Sequence, residues 1–237
     1  MRGAHDFLLQ IQKTLKPITT YWPLAVAVIL YVLYACTGIY WFRWSIIAFL
    51  LVFVLQLILR KAPEGSLRKY LFVPLAFALS IVGDMFLYYD HGRAPLFIAG
   101  VAFYFVAHIF YICYTLRKGR VNGILLSVLT VIFLAYFIWM LVPSISDNGI
   151  RIAVLLYILI SCLSVSCAAA MPYGPTMDKT AKILVITGIS SLLFSDFLIS
   201  LHDFMGIQTG YALMLPTFYL SQILVSAAVI HLLSDRK

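Results

Sequence analysis

Charge is what this chain has least of. Only 11% of its 237 residues are Asp, Glu, Lys or Arg, against about 25% in a soluble domain. Hydrophobic residues make up 63% and the mean hydropathy is +1.01. A soluble enzyme is excluded, and the whole chain reads as one membrane domain. Carboxylates are scarcer still, with 9 Asp and Glu to 17 Lys and Arg. The resulting net charge of +8 does not signal nucleic acid. Its cations sit in short clusters between apolar runs, where membrane topology accounts for them. The four cysteines, at 36, 113, 162 and 167, form no Cys-x-x-Cys and have no His at ligand spacing. They read as buried apolar thiols, neither zinc ligands nor a disulfide framework. A Gly-x-Ser-x-Gly elbow is also missing, so Ser195 beside Asp196 does not make a serine hydrolase.

What the chain does have is apolar windows, at about 20–39, 44–60, 70–90, 95–116, 121–142, 151–171, 181–202 and 211–233. Each is long enough to cross a ~30 Å hydrocarbon core at ~1.5 Å per residue. The expected fold is all-α, a polytopic bundle of eight transmembrane helices over 20–233, with an N-terminal segment 1–19 and a tail 234–237. Residues 1–19 do not read as a cleaved signal, because a long apolar run and seven further spans follow. Phe7, Leu8, Ile11, Leu15 and Ile18 fall near one helical face, which fits a short interfacial helix; a disordered basic tail is the alternative. Trp22, Tyr40, Trp41, Trp44, Tyr88, Tyr89, Tyr173 and Tyr211 lie near span ends, as interfacial aromatics should.

The basic residues set the orientation. Arg2, Lys13, Lys16, Arg60, Lys61, Arg68, Lys69, Arg117, Lys118, Arg120, Lys179, Lys182, Arg236 and Lys237 fall on one side, and only Arg43, Arg93 and Arg151 on the other. The asymmetry predicts that both termini are cytoplasmic. A bacterial plasma membrane is the expected location. Residues 1–120 and 121–237 each supply four spans, so the chain also has the form of a parallel 4+4 repeat. Asp84 and Asp196 occupy the third span of each half, and His108 and Gln222 the fourth.

Those two carboxylates are the costly feature. Asp84 stands in Ser80-Ile81-Val82-Gly83-Asp84-Met85-Phe86-Leu87, and Asp196 in Leu192-Leu193-Phe194-Ser195-Asp196-Phe197-Leu198. Insertion scales put each at roughly 2.5–3.5 kcal/mol, a cost that function usually explains. Both lie about 9 Å from the outer end of their spans, while His108 and Gln222 lie some 17 Å in, near the midplane. Side chains of like depth can share a cavity, to which Tyr88, Tyr104, Tyr111, Ser195, Ser200 and Tyr219 sit one helical turn or less away. Each has a plainer reading as interhelical hydrogen bonding. Asp90-His91 and His202-Asp203 in the outer loops suggest metal ligands, but His108 and His231 come too deep or at the wrong end to complete a three-His zinc site. Solvated loop charge is the reading adopted, with no metal and no cofactor.

With these residues in place the chain resembles the YhhN-type lysoplasmalogenase family of eight-span membrane proteins. The likeness rests on Leu79-Ser-Ile-Val-Gly-Asp-Met-Phe-Leu around Asp84, Gly100-Val-Ala-Phe-Tyr-Phe-Val-Ala-His-Ile-Phe-Tyr around His108, Gly188-Ile-Ser-Ser-Leu-Leu-Phe-Ser-Asp-Phe-Leu around Asp196, and Leu215-Pro-Thr-Phe-Tyr-Leu-Ser-Gln around Gln222. The first two spans add nothing to it, since Lys16-Pro17 precedes the first span. The resemblance implies hydrolysis of the vinyl ether of a lysophospholipid drawn from the bilayer, releasing a fatty aldehyde and a glycerophospho-base. That chemistry needs an acid that protonates carbon and a carboxylate that stabilises the cation or activates water, as in glycoside hydrolysis. Asp84 and Asp196 are the expected pair, with His108, Tyr219, Gln222, Ser195, Tyr104 and Tyr88 orienting pair or substrate. A proton-coupled transporter using the same groups is one rival reading. A metal-dependent lipid esterase or amidase is the other.

Overall fold

The computed structural model describes the backbone of residues 2–63, 65–116, 120–172, 178–208 and 211–234, and their side chains from Thr20 onward except Tyr211. The chain is a bundle of helices: α1 (Arg2–Thr37), α2 (Tyr40–Lys61), α3 (Leu67–Tyr88), α4 (Ala94–Thr115), α5 (Gly123–Ser144), α6 (Asn148–Ala169), α7 (Lys179–Met205) and α8 (Tyr211–Ser234). Among the described residues all eight have a window long and apolar enough to span a membrane. The backbone of 2–19 is helical and continuous with the first span until Gly38 turns the chain at φ +66. The side chains of the proposed interfacial face lie outside the described residues, as do Arg117, Lys118, Tyr173, Arg236, Lys237 and the side chain of Tyr211.

Short polar residues start the later helices. The side chains of Asn122, Asp147 and Asp178 accept hydrogen bonds from the amides of Leu125, Ile150 and Ala181 at 3.1, 2.9 and 2.8 Å, satisfying donors that a helix leaves open. Three of the chain's few polar loop positions are thereby accounted for without chemistry.

The tightest packing is between α3 and α4 and between α7 and α8, the equivalent pairs of the two halves. Small residues permit it. A Cβ on Gly83 would come within 2.8 Å of the Tyr104 ring and 3.1 Å of the Gly100 carbonyl. One on Gly188 would come within 2.9 Å of Val225 and 3.2 Å of the Ser221 carbonyl. Such close backbone approach is how membrane helices associate when lipid is as apolar as leucine. Gly83→Ala is therefore expected to force Tyr104 aside and lower the thermal unfolding temperature in detergent, equivalent to about 1–3 kcal/mol; an unchanged melting curve would contradict this packing. At the periphery Ile124, Val131 and Trp139 of α5 and Ile29 of α1 are exposed, as lipid-facing residues should be. Cys36 and Cys113 are exposed too, contrary to expectation, while Cys162 and Cys167 are buried and all four are free thiols. Helix faces turned to lipid tolerate an apolar thiol as readily as a core does.

Candidate active site

Asp84 is not the lone carboxylate its flanking residues suggested. Helix α2 begins at Tyr40, four residues before the expected start, which puts Arg43 in its first turn. The Arg43 side chain then reaches inward, donating from Nε to Asp84 Oδ2 at 2.9 Å and from Nη2 to Oδ1. Trp44 Nε1 donates to the same Oδ2 at 3.1 Å. The pair is largely buried, with side-chain exposures of 12% for Arg43 and 6% for Asp84. Tyr88 offers its ring to the guanidinium at 5.9 Å, and the Tyr219 hydroxyl donates to the Arg43 carbonyl at 3.2 Å. Tyr88 thus faces the cation of the pair and Tyr219 the backbone that carries it, and neither hydrogen-bonds the carboxylate.

Asp196 has a different setting. The Tyr157 hydroxyl donates to its Oδ2 at 2.7 Å, and His108 Nε2 lies 3.8 Å from the same oxygen. His108 Nε2 is also 3.2 Å from the Tyr157 hydroxyl and 3.3 Å from Ser161 Oγ. Because Tyr157 spends its proton on Asp196, its oxygen is left to accept from an Nε2–H tautomer of His108. His108 is fully buried, and its Nδ1 has no hydrogen-bond partner among the described residues. The sequence reading missed Tyr157 and Ser161, although Tyr157, Ser161 and Ser164 recur on one face of α6 and mark it as more than a lipid-facing span.

Asp196 lines a half-open pocket among α3 to α7, whose empty space of about 650 Å³ includes the volume at its mouth. Its walls are mainly apolar, with Phe97, Val101, Phe133, Ile158 and Phe204 among them. Polar atoms enter through Asp196, Tyr157, Ser161, Tyr104, and the Tyr136–Ser200 pair, whose oxygens are 2.8 Å apart. The α5 wall carries a π-helical turn at Phe137–Leu141, a feature common at functional sites. All the lining residues but Phe133 and Ser161, which lie near mid-helix, fall in the half of their helix away from the basic loops.

Asp84 does not line this cavity. Tyr104 connects the two carboxylates: its ring lines the cavity and rests beside Gly83, and it lies within electrostatic reach of Arg43, Asp84 and Asp196 alike. Two further candidates turn elsewhere. Ser195 Oγ donates to the Met214 carbonyl at 2.8 Å, tying α7 to α8. Gln222 Oε1 accepts from Tyr111 at 3.1 Å, a link between α4 and α8 that does not engage Asp196 itself. Asp90 and His91 lie in the α3–α4 loop, but His202 and Asp203 belong to the end of α7 and not to a loop; the four form no metal-ligating group among the described residues, and His202 Nδ1 pairs with Asp203 Oδ1 at 2.7 Å.

The YhhN family model matches residues 38–229. The chain belongs to the YhhN family. The match takes in α2 to α7 and most of α8, hence both Asp84 and Asp196 with all their partners. No curated protein and no solved structure matches the chain.

Proposed function

We propose that this YhhN family member is a lysoplasmalogenase, a hydrolase of the vinyl ether bond in single-chain alkenyl-glycerophospholipids. The observation that carries the reading is Asp196, a carboxyl group on the wall of a half-open, mainly apolar pocket, a lining that suits a lipid chain. In the reaction the carboxyl of Asp196 gives its proton to the β-carbon of the vinyl ether, leaving an oxocarbenium ion. Water adds to the adjacent carbon and returns a proton to a carboxylate, and the hemiacetal collapses to fatty aldehyde and glycerophospho-alcohol. Proton uptake and release balance within the cycle. Asp84 supplies the second negative charge, sensed across Tyr104, that favours the cation. His108 and Tyr157 orient Asp196, and Ser161 holds the His108 ring.

The pocket's place mainly away from the basic loops, taken with the cytoplasmic termini that the charge asymmetry predicts, supports the outer leaflet as the source of the lipid. Purified protein in detergent, given a lysoplasmalogen, an ester-linked lysophospholipid and a ceramide with and without chelator, tests the assignment. Aldehyde release from the first, insensitive to chelator, is the expected result. Cleavage of ester or amide that chelator abolishes would replace it with a metal hydrolase, and no turnover of any of the three would favour transport. Tyr157→Phe removes the hydroxyl that fixes Asp196 and is expected to lower kcat about tenfold or more with KM little changed. An unaltered kcat would detach Tyr157 from the reaction.

A further inference from the structure

Arg43 and Trp44 present three converging donors to one carboxylate, Nε and Nη2 of the guanidinium and the indole Nε1. That is an oxyanion site, built at the first turn of α2 and filled by a residue of the protein itself. Among the described residues no hydrogen bond engages Arg43 Nη1, and the side chain keeps 12% exposure, so the guanidinium has donors to spare and an open side. The fork that fits a carboxylate fits two oxygens of a phosphate equally well. The other two cations on this side are committed to their own loops. Arg93 donates to the Asp90 and Tyr89 carbonyls at 3.1 and 2.6 Å. Arg151 donates to the Ile145 carbonyl and to Asn148 at 2.7 and 3.0 Å.

We infer that Arg43 and Trp44 are the binding site for the phosphate of a lysophospholipid head group, held in the free protein by Asp84 as an internal stand-in. The inference rests on the lysoplasmalogenase reading for the identity of the lipid. A three-carbon glycerol joins phosphate to ether, so the phosphate must lie close beside the scissile bond. Tyr104, near both the Arg43–Asp84 pair and Asp196, marks where the glycerol runs. Phosphate on Arg43 displaces Asp84, whose charge is then uncompensated beside Tyr104 and available to the cation forming at Asp196. An alkenyl lipid without phosphate leaves the Arg43–Asp84 pair closed.

The test is binding of two saturated ether lipids of equal chain length to the intact protein in detergent. One is 1-alkyl-glycerophosphoethanolamine, the other 1-alkylglycerol; neither is hydrolysed. Wild type is expected to bind the phosphorylated lipid about tenfold or more tightly. Arg43→Gln should bring it down to the alkylglycerol, Arg43→Lys should fall between, and Arg151→Gln should keep the discrimination. Equal binding of both lipids by wild type overturns the inference without any variant, which covers the case of an Arg43 variant that does not fold. So does a loss in Arg43→Gln that weakens both lipids alike, or a discrimination that moves with Arg151 and not Arg43. Aldehyde release from an alkenyl substrate is read separately. Discrimination without aldehyde release keeps the phosphate site and removes the hydrolase; aldehyde release without discrimination does the reverse.

Discussion

Asp196→Asn is expected to lower aldehyde release by about 10²- to 10⁴-fold, the usual worth of a positioned general acid, while the protein inserts and melts much as wild type. The separation follows from its surroundings. An Asn oxygen still accepts the Tyr157 hydroxyl that now bonds Oδ2 at 2.7 Å, so α6 and α7 stay linked. Among the described residues no cation forms a bidentate pair with Asp196; the basic side chain beside it is His108, at 3.8 Å. What the substitution removes is the proton that carbon receives. Initial rates of aldehyde release from a lysoplasmalogen, taken beside a melting curve in the same detergent, check both halves. A rate near wild type would remove Asp196 from the chemistry and leave the cavity a lipid-binding pocket.

How far the site could be read from sequence depended on contrast. Asp84 and Asp196 stand out because an apolar run makes any carboxylate conspicuous, and burial bears that out for Asp84 at 4% exposure. Tyr157 and Ser161 were missed because hydroxyls are ordinary in membrane helices and periodicity alone ranks them low. Arg43 was visible but misplaced. A cation before an apolar run reads as interfacial, and only the start of α2 at Tyr40 and the length of its side chain carry the charge inward to Asp84. The depth estimate set His108 beside Gln222; helix rotation, which depth does not fix, sends His108 to Tyr157 and Gln222 to Tyr111. The eight spans were legible throughout, since length and hydropathy suffice for them.

Asp84→Asn should differ from its counterpart in losing stability as well as turnover. The Asn side chain turns one acceptor into a donor against Arg43 Nε, Nη2 or Trp44 Nε1 and leaves the guanidinium charge uncompensated in a largely buried site. Removing one partner of a buried pair typically costs about 3–5 kcal/mol, whereas replacing both by well-packed apolar residues is often neutral or stabilising. The double variant Arg43→Met, Asp84→Leu is therefore expected to melt near or above wild type and yet release aldehyde at a small fraction of its rate. Thermal unfolding and aldehyde release measured on both variants decide between two roles for the pair. Were it only a structural clasp, the double variant would recover turnover along with stability. Recovery of stability alone places the Arg43–Asp84 pair in the reaction, because what the two apolar side chains fail to replace is charge and the hydrogen bonds it makes, that of Trp44 included.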